Sequence, residues 1–210
     1  MRGAVKGGQP DVESRIEDAV FDLMEMTDIP DIRVNDVIRV AGVSRSTFYR
    51  HYANVDEVVK LFEADILDSM RSINRDALNV RFGRSELDPT TTMVSRMKVL
   101  HDNRKKIIAL NGPHGDPQFV HKATVVMHDH FRARLRSVPG DATLRDLYLS
   151  FVIAGHNNLV QYWLEVKPDV TPHQVAAMLN RLVYSAFFLD DESALAHPLS
   201  PSFGDEVGHA

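Results

Sequence analysis

The sequence predicts an all-α protein, on three observations. Apolar residues recur at helical spacing through almost the whole interior of the chain, and no stretch alternates apolar with polar residues around an Asn-Gly type of turn. Capping residues, Gly and Pro punctuate the helical segments. The composition agrees: of 210 residues, 44% are hydrophobic and 25% charged, which excludes a disordered chain. Cys is absent, so disulfide frameworks, thiolate catalysis and cysteine zinc sites are excluded together.

The Gly-rich residues 1–10 and the tail 191–210 are expected to be flexible. A first helix is predicted to open with a capping box of Ser14 and Glu17, to carry Ile16, Val20, Leu23 and Met24 as its apolar stripe with Phe21 beside it, and to end at Pro30. A second short helix, 34–41, stops at Gly42, and Ser44 is the N-cap of a third, 45–52. Asn54 and Glu57 make another capping box, opening a long fourth helix with Val58, Leu61, Phe62, Ile66 and Met70 on one face. Further on, 93–110 reads as one helix closed by Asn111-Gly112-Pro113. Asp116-Pro117 opens a helix reaching position 136, Pro139-Gly140 precedes one over 143–166, and Thr171-Pro172 starts a last helix to position 189.

Residues 147–164 carry no Asp, Glu, Lys or Arg, close to the lower length limit of a membrane helix. Gly155, His156, Asn157, Asn158 and Gln161 are costly in lipid, so this segment is expected inside protein and no membrane partner is expected. The first twenty residues lack the apolar core of a secretory signal, and a cytoplasmic location is expected.

The net charge of −5 leaves any nucleic-acid contact to a local patch. One exists: over positions 33–52, Arg33, Arg39, Arg45 and Arg50 stand against a single acidic residue, Asp36, a local balance of +3. The surrounding run, VNDVIRVAGVSRSTFYRHYANVDEVVKLF, has two short helices about a turn at Gly42, the layout of a helix-turn-helix whose second helix enters the major groove. Phe48 and Tyr52 share the buried face of that second helix with Val43, which leaves Arg45, Ser46, Thr47, Tyr49 and Arg50 toward solvent. Arg45 can reach a guanine edge or clamp a phosphate, and the three hydroxyls can bond phosphates or bases.

The run Ala41-Gly42-Val43-Ser44-Arg45-Ser46-Thr47-Phe48-Tyr49-Arg50-His51-Tyr52 resembles the turn and recognition helix of the TetR/AcrR family of bacterial transcriptional regulators, and the pattern extends to Ile16, Ala19, Val20, Phe21 and Leu61. The resemblance implies an N-terminal three-helix DNA-binding head at 11–57 and a helical effector-binding and dimerisation body at 58–190. It also implies that Arg33, Arg45, Ser46, Thr47, Tyr49, Arg50 and His51 face a double-stranded DNA operator. This chain departs from the pattern at Arg33, where Thr or Ser is common, and at Val55, where Lys is common. Asp28 and Ile38 replace a Gly and a small residue. One phosphate contact is lost at Val55, and modest DNA affinity is expected.

In the body, the 143–166 helix and the last helix are apolar on more than one face, and Leu159, Trp163, Met178, Leu182 and Phe187 are expected at a homodimer contact. Met93, Met97, Met127, Phe131, Tyr148, Phe151, His156, Asn157, Tyr162 and Trp163 are the candidate lining of a cavity for an unknown small-molecule effector. The ten histidines lack the four-residue spacing of helical zinc sites, so neither metal nor cofactor is expected. No GxSxG, P-loop, GxGxxG or HExxH occurs, and an enzyme is not expected. The function expected is a ligand-responsive repressor; the alternative is an adaptor or coactivator of the same fold that has lost operator binding.

Overall fold

The computed structural model describes residues 11–78, 89–134 and 142–187, omitting the side chains of residues 134, 142, 144 and 183–187. The expectations for 1–10 and 191–210 lie outside the described residues. Within them the chain forms nine α-helices and no strand: α1 (Val12–Leu23), α2 (Val34–Ala41), α3 (Arg45–His51), α4 (Val55–Ala77), α5 (Thr91–Asp102), α6 (Arg104–Asn111), α7 (Phe119–Arg134), α8 (Ala142–Val166) and α9 (Pro172–Phe187).

Helix α1 starts earlier than predicted because Asp11, not Ser14, is its N-cap: the Asp11 carboxylate accepts from the Ser14 amide at 2.8 Å. An ionised acceptor makes the stronger cap, and the extra turn lets Val12 pack on the core. The helix ends at Leu23, well before Pro30, which sits in a one-turn 3-10 helix at Ile29–Asp31. Gly42 closes α2 with φ +62°, and Ser44 caps α3 by accepting from the Thr47 amide at 3.0 Å. Asn54 accepts from the Glu57 amide at 2.8 Å, while Glu57 reaches back to the Ala53 amide. Thr171 and Gln174 form a reciprocal pair at the start of α9.

The predicted helix 93–110 is two helices. Asn103 breaks it with φ −105° and ψ 18°, its side-chain amide donating to the Val99 carbonyl at 2.8 Å. Beyond the break, Arg104 donates to the Leu164 carbonyl of α8. A side chain that satisfies a terminal carbonyl stabilises the stop, and α6 turns away to pack across α1, α7 and α8.

A single apolar core runs from head into body. In the head, Ile16, Val20, Val37, Phe48 and Val58 are almost wholly buried; in the body, Met97, Leu110, Leu164 and Leu179 are. Helix α4 crosses the expected 57/58 boundary without interruption, packing on α1 of the head and on α5 and α7 of the body. A smaller cluster of Met127, Phe131, Leu149 and Ile153 joins α7 to α8. Among the described residues, no helix is long and apolar enough to cross a membrane.

Gly42 gives a stability test. Its positive φ is costly for any L side chain, and a Cβ there would lie 2.9 Å from the Arg15 guanidinium. Gly42→Ala is expected to lower unfolding free energy by about 1–2 kcal/mol, read as a lower urea midpoint at unchanged slope.

Candidate nucleic-acid interface and body cavity

Burial of Phe48 (0% exposed) and Tyr52 (3%) fixes the roll of α3. The opposite face carries Arg45, Ser46, Tyr49 and Arg50 into solvent, with Thr47 half-buried at its edge and Arg33 exposed at the start of α2. These exposed side chains are ordered by neighbours. Arg45 donates to the side-chain Oδ1 of Asn35 at 2.7 Å and to the Tyr49 hydroxyl at 3.4 Å, with its guanidinium 5.5 Å from the Tyr49 ring centroid. The Ser44 hydroxyl bonds those of Ser46 (2.9 Å) and Thr47 (2.8 Å). His51 differs from the rest: its Nδ1 lies 3.2 Å from Glu13 on α1, which turns the ring toward the head's interior.

Two features of the head escaped sequence reading. Arg15 reaches from α1 to the end of α2, donating to the carbonyls of Ala41 (2.5 Å) and Gly42 (2.7 Å), and so holds the turn. Lys106, on α6 of the body, lies 3.0 Å from both Glu17 and Asp18 on α1 and over the rings of Phe21 and Phe62. Glu17 also accepts from the Tyr52 hydroxyl at the end of α3, at 3.4 Å. A path of polar contacts therefore joins the recognition helix to α6. Asp28 pairs with His114 at 2.6 Å and adds a second head–body contact where the resembling family has Gly. No spacing rule reveals such pairs, because their members lie more than 80 positions apart.

A cavity of about 380 Å³ lies in the body, lined by Ile66, Leu67 and Met70 of α4, Phe119, Ala123, Val126 and Met127 of α7, and Leu100 and Ile107 of α5 and α6. Its polar members are Arg96, Asn111, His156, Asn157, Asn158 and Gln161. Of the ten residues predicted to line it, Met127, His156 and Asn157 do. Met97 and Phe131 are core, and Met93 packs partly buried against it. Tyr148, Phe151 and Tyr162 point outward, at 50%, 77% and 54% exposure. The contribution of α4 was missed because the stripe of an amphipathic helix says nothing about whether the core beyond it is filled.

The expected dimer residues divide as well. Met178 and Leu182 are exposed on α9, whereas Leu159 packs on the core and Phe187 lies among the side chains outside the description. Trp163 must be corrected on both counts, cavity and dimer contact. It is 3% exposed, donates its indole N–H to the Val170 carbonyl at 2.7 Å and stacks on His101 at 5.5 Å. A residue so enclosed by its own subunit presents no surface.

The polar groups around the cavity are held by specific partners. Lys122 bridges Glu63 (2.6 Å) and Asp116 (2.7 Å), and these hydrogen bonds raise its pKa, while burial raises that of Glu63 against the pull of Lys122. Arg96 donates to Asn74, which donates in turn to the Val126 carbonyl. Asn157 donates to the Thr124 hydroxyl at 2.9 Å. Among the described residues, no group of three or more His, Asp or Glu is placed to hold a metal ion.

His156 is buried, and burial followed by the nearby charge of Arg96 pushes its pKa down to about 4 from an ordinary 6.5. The folded state therefore binds fewer protons than the unfolded chain between these values, and stability falls as pH drops through that window. The shift corresponds to about 3 kcal/mol of stability lost by the acid end of that window. His156→Leu is expected to lose less stability than the unaltered chain between pH 6.5 and 4, by an amount of that order, in paired urea melts.

Residues 88–185 match the TetR-type family described as "Transcriptional regulator C-terminal region". No curated protein matches the chain. Among solved structures, a TetR transcriptional regulator from Streptococcus agalactiae 2603V is similar over 82% of this chain and 93% of its own, at 24% identity and a TM-score of 0.54. The TetR family repressor AlkX from Dietzia sp. strain DQ12-45-1b, implicated in biodegradation of n-alkanes, covers 88% of this chain and 98% of its own at 18% identity and a TM-score of 0.41. The chain thus carries, over residues 88–185, a region similar to the C-terminal region of TetR-type transcriptional regulators, behind a helix-turn-helix head, in a fold shared with the Streptococcus agalactiae structure.

Proposed function

We propose that the chain is a ligand-responsive repressor that binds a palindromic operator as a homodimer, with residues 11–57 as the DNA-binding head and 58–190 as the effector and dimer body. The observation that carries this reading is the outward face of α3, where Arg45, Tyr49 and Arg50 stand exposed on a helix locked by Phe48 and Tyr52. In this reading Arg45 and Tyr49 contact base edges, and Arg33, Ser46, Thr47 and Arg50 contact phosphates. His51, drawn toward Glu13, orients α3 rather than leading the contact.

A homodimer is supported by the outer face of α8. Leu147, Phe151, Tyr162 and Val166 follow one another at helical spacing around Gly155, all more than half exposed, and Met178 and Leu182 extend the patch onto α9. A large exposed apolar stripe marks an interaction face, and a two-fold pairing of α8 and α9 covers it with four helices. Two recognition helices then address half-sites on a symmetric operator. An effector in the cavity shifts the equilibrium between DNA-competent and incompetent arrangements, through α4, which lines the cavity and enters the head, and through α6 with Lys106.

A second reading, the adaptor without operator binding, is favoured by Val55, which is 5% exposed and supplies no cation at the start of α4, and by Asp56 and Glu57 beside it. Selection of bound sequences from random duplex DNA at two salt concentrations decides between the two. A near-palindromic motif whose binding weakens at higher salt is expected; failure to enrich any motif by a well-folded dimer overturns operator binding.

Three variants extend the test. Arg45→Ala with Tyr49→Ala is expected to weaken binding to the selected site by about 30-fold or more, given about 1–3 kcal/mol for each good base contact. Phe151→Asp is expected to yield monomers in sedimentation and to lose affinity for the two-half-site operator. Lys106→Met is expected to lower the urea midpoint and, in the folded protein, to blunt the effector response, seen as a smaller ligand-induced change in operator affinity.

A further inference from the structure

On the exposed face of α3, one contact reaches back to α2. Asn35, exposed in the first turn of α2, accepts from Arg45 through its side-chain Oδ1 at 2.7 Å. Arginine has N–H donors and no acceptor, so the amide can face it only with its oxygen. The orientation of the Asn35 amide is therefore fixed by chemistry: its NH2 turns away from Arg45, and among the described residues it has no protein partner. Tyr49 braces Arg45 a second time, its hydroxyl oxygen accepting at 3.4 Å and its ring centroid 5.5 Å from the guanidinium.

The Asn35 amine and the remaining N–H groups of Arg45 thus present donors alone, side by side across α2 and α3. Asp36, next to Asn35 in sequence, is drawn to Arg39 at 3.2 Å rather than to Arg45. In the major groove guanine shows two acceptors, N7 and O6, and thymine shows the acceptor O4, whereas adenine and cytosine each carry an amine. A donor pair meets such an amine with like polarity. An asparagine with both amide atoms free reads adenine through N6 and N7; here Arg45 occupies the oxygen, so that readout is closed.

We propose that Asn35 sets operator specificity: it holds Arg45 for a guanine, and its own amine selects a keto base, guanine or thymine, beside that guanine in each half-site. This assignment rests on the reading of α3 as the recognition helix. Held by Asn35 and Tyr49, Arg45 enters the groove with its rotamers already restricted, so less side-chain entropy is lost for each bond to the base.

Selection of bound sequences from random duplex DNA, by the full chain and by single variants of it, tests the assignment. Arg45→Ala is expected to erase the preference at one base position per half-site, which marks the guanine that Arg45 faces. Asn35→Ala is expected to weaken that guanine preference about tenfold and to leave the neighbouring position indifferent. Asn35→Asp still accepts from Arg45 but puts an acceptor where the amine was. The guanine is therefore expected to persist and the neighbouring position to change from a keto base to adenine or cytosine. A loss of fold would lower binding to every sequence alike and cannot produce that exchange. A motif without guanine at the Arg45 position, or with the same neighbouring base for Asn35→Asp as for the unaltered chain, overturns the inference and leaves operator binding standing. Failure of the well-folded, unaltered chain to enrich any motif overturns operator binding and the inference with it.

Discussion

The contact on which the rest of this structure depends is that of Lys106 with Glu17, Asp18 and the rings of Phe21 and Phe62. Lys106 and Glu17 are each about 15% exposed, so two charges are withdrawn from most of their water at the seam between head and body. Such pairs contribute little net stability, because desolvation offsets most of the attraction, yet removing one member leaves the other buried and unbalanced. Their effect is on geometry. An apolar seam between α1, α4 and α6 would tolerate sliding, whereas a lysine shared by two carboxylates and two ring faces admits one register. Because Glu17 also receives the Tyr52 hydroxyl, that register reaches the end of the recognition helix.

Helix α4 is the second constraint, and it explains why head and body are not independent units. Phe62 pairs edge-on with Phe21 of the head at 4.8 Å, one turn before Ile66 and Met70 enter the cavity wall. Glu63, between them, is held by Lys122 of α7. A change in cavity volume that displaces α7 or the middle of α4 therefore acts on the same rigid rod that supports α1. The two routes, through α4 and through Lys106, converge on α1, and α1 holds the turn before α3 through Arg15.

What was legible in the sequence follows from which interactions are local. Helix identity, the Gly42 turn, the Ser44 and Asn54 caps and the roll of α3 all depend on residues within about four positions of one another, and sequence spacing reports them directly. The Asp11 cap was obscured by a neighbouring Ser-Glu pair that satisfied the same rule. The break at Asn103 was obscured because an Asn inside a periodic run reads as a tolerated helical residue until a second helix offers a place to turn. Trp163, assigned to both cavity and dimer, shows the general difficulty: a large aromatic on a helix apolar all round has three possible neighbours, and only the loop ending at Val170, folding back onto it, decides among them. Arg96 was passed over because a lone polar residue in a helical run looks like an ordinary surface position, and Asn111 because it was read as part of a helix stop, whereas here both turn inward.

Helix α8 has a cavity-lining face and an exposed apolar face, and its composition reflects both. The inward face places His156, Val160 and Gln161 on the cavity, and the outward face places Phe151 and Tyr162 in solvent around Gly155. A helix covered on one side needs apolar residues there alone, which is why so even an apolar distribution on α8 and α9 was the clearest sign in the sequence that something else must cover them. The polar cluster at 155–158 belongs to this division rather than to solvation. Gly155 keeps the outer face flat, with no atom within 4 Å of where a side chain would start, while His156 and Asn157 point to the interior. A displacement of α8 by even a fraction of a turn would change both faces at once, so on the proposed reading of the cavity and of the outer stripe one element would couple the two without a separate relay.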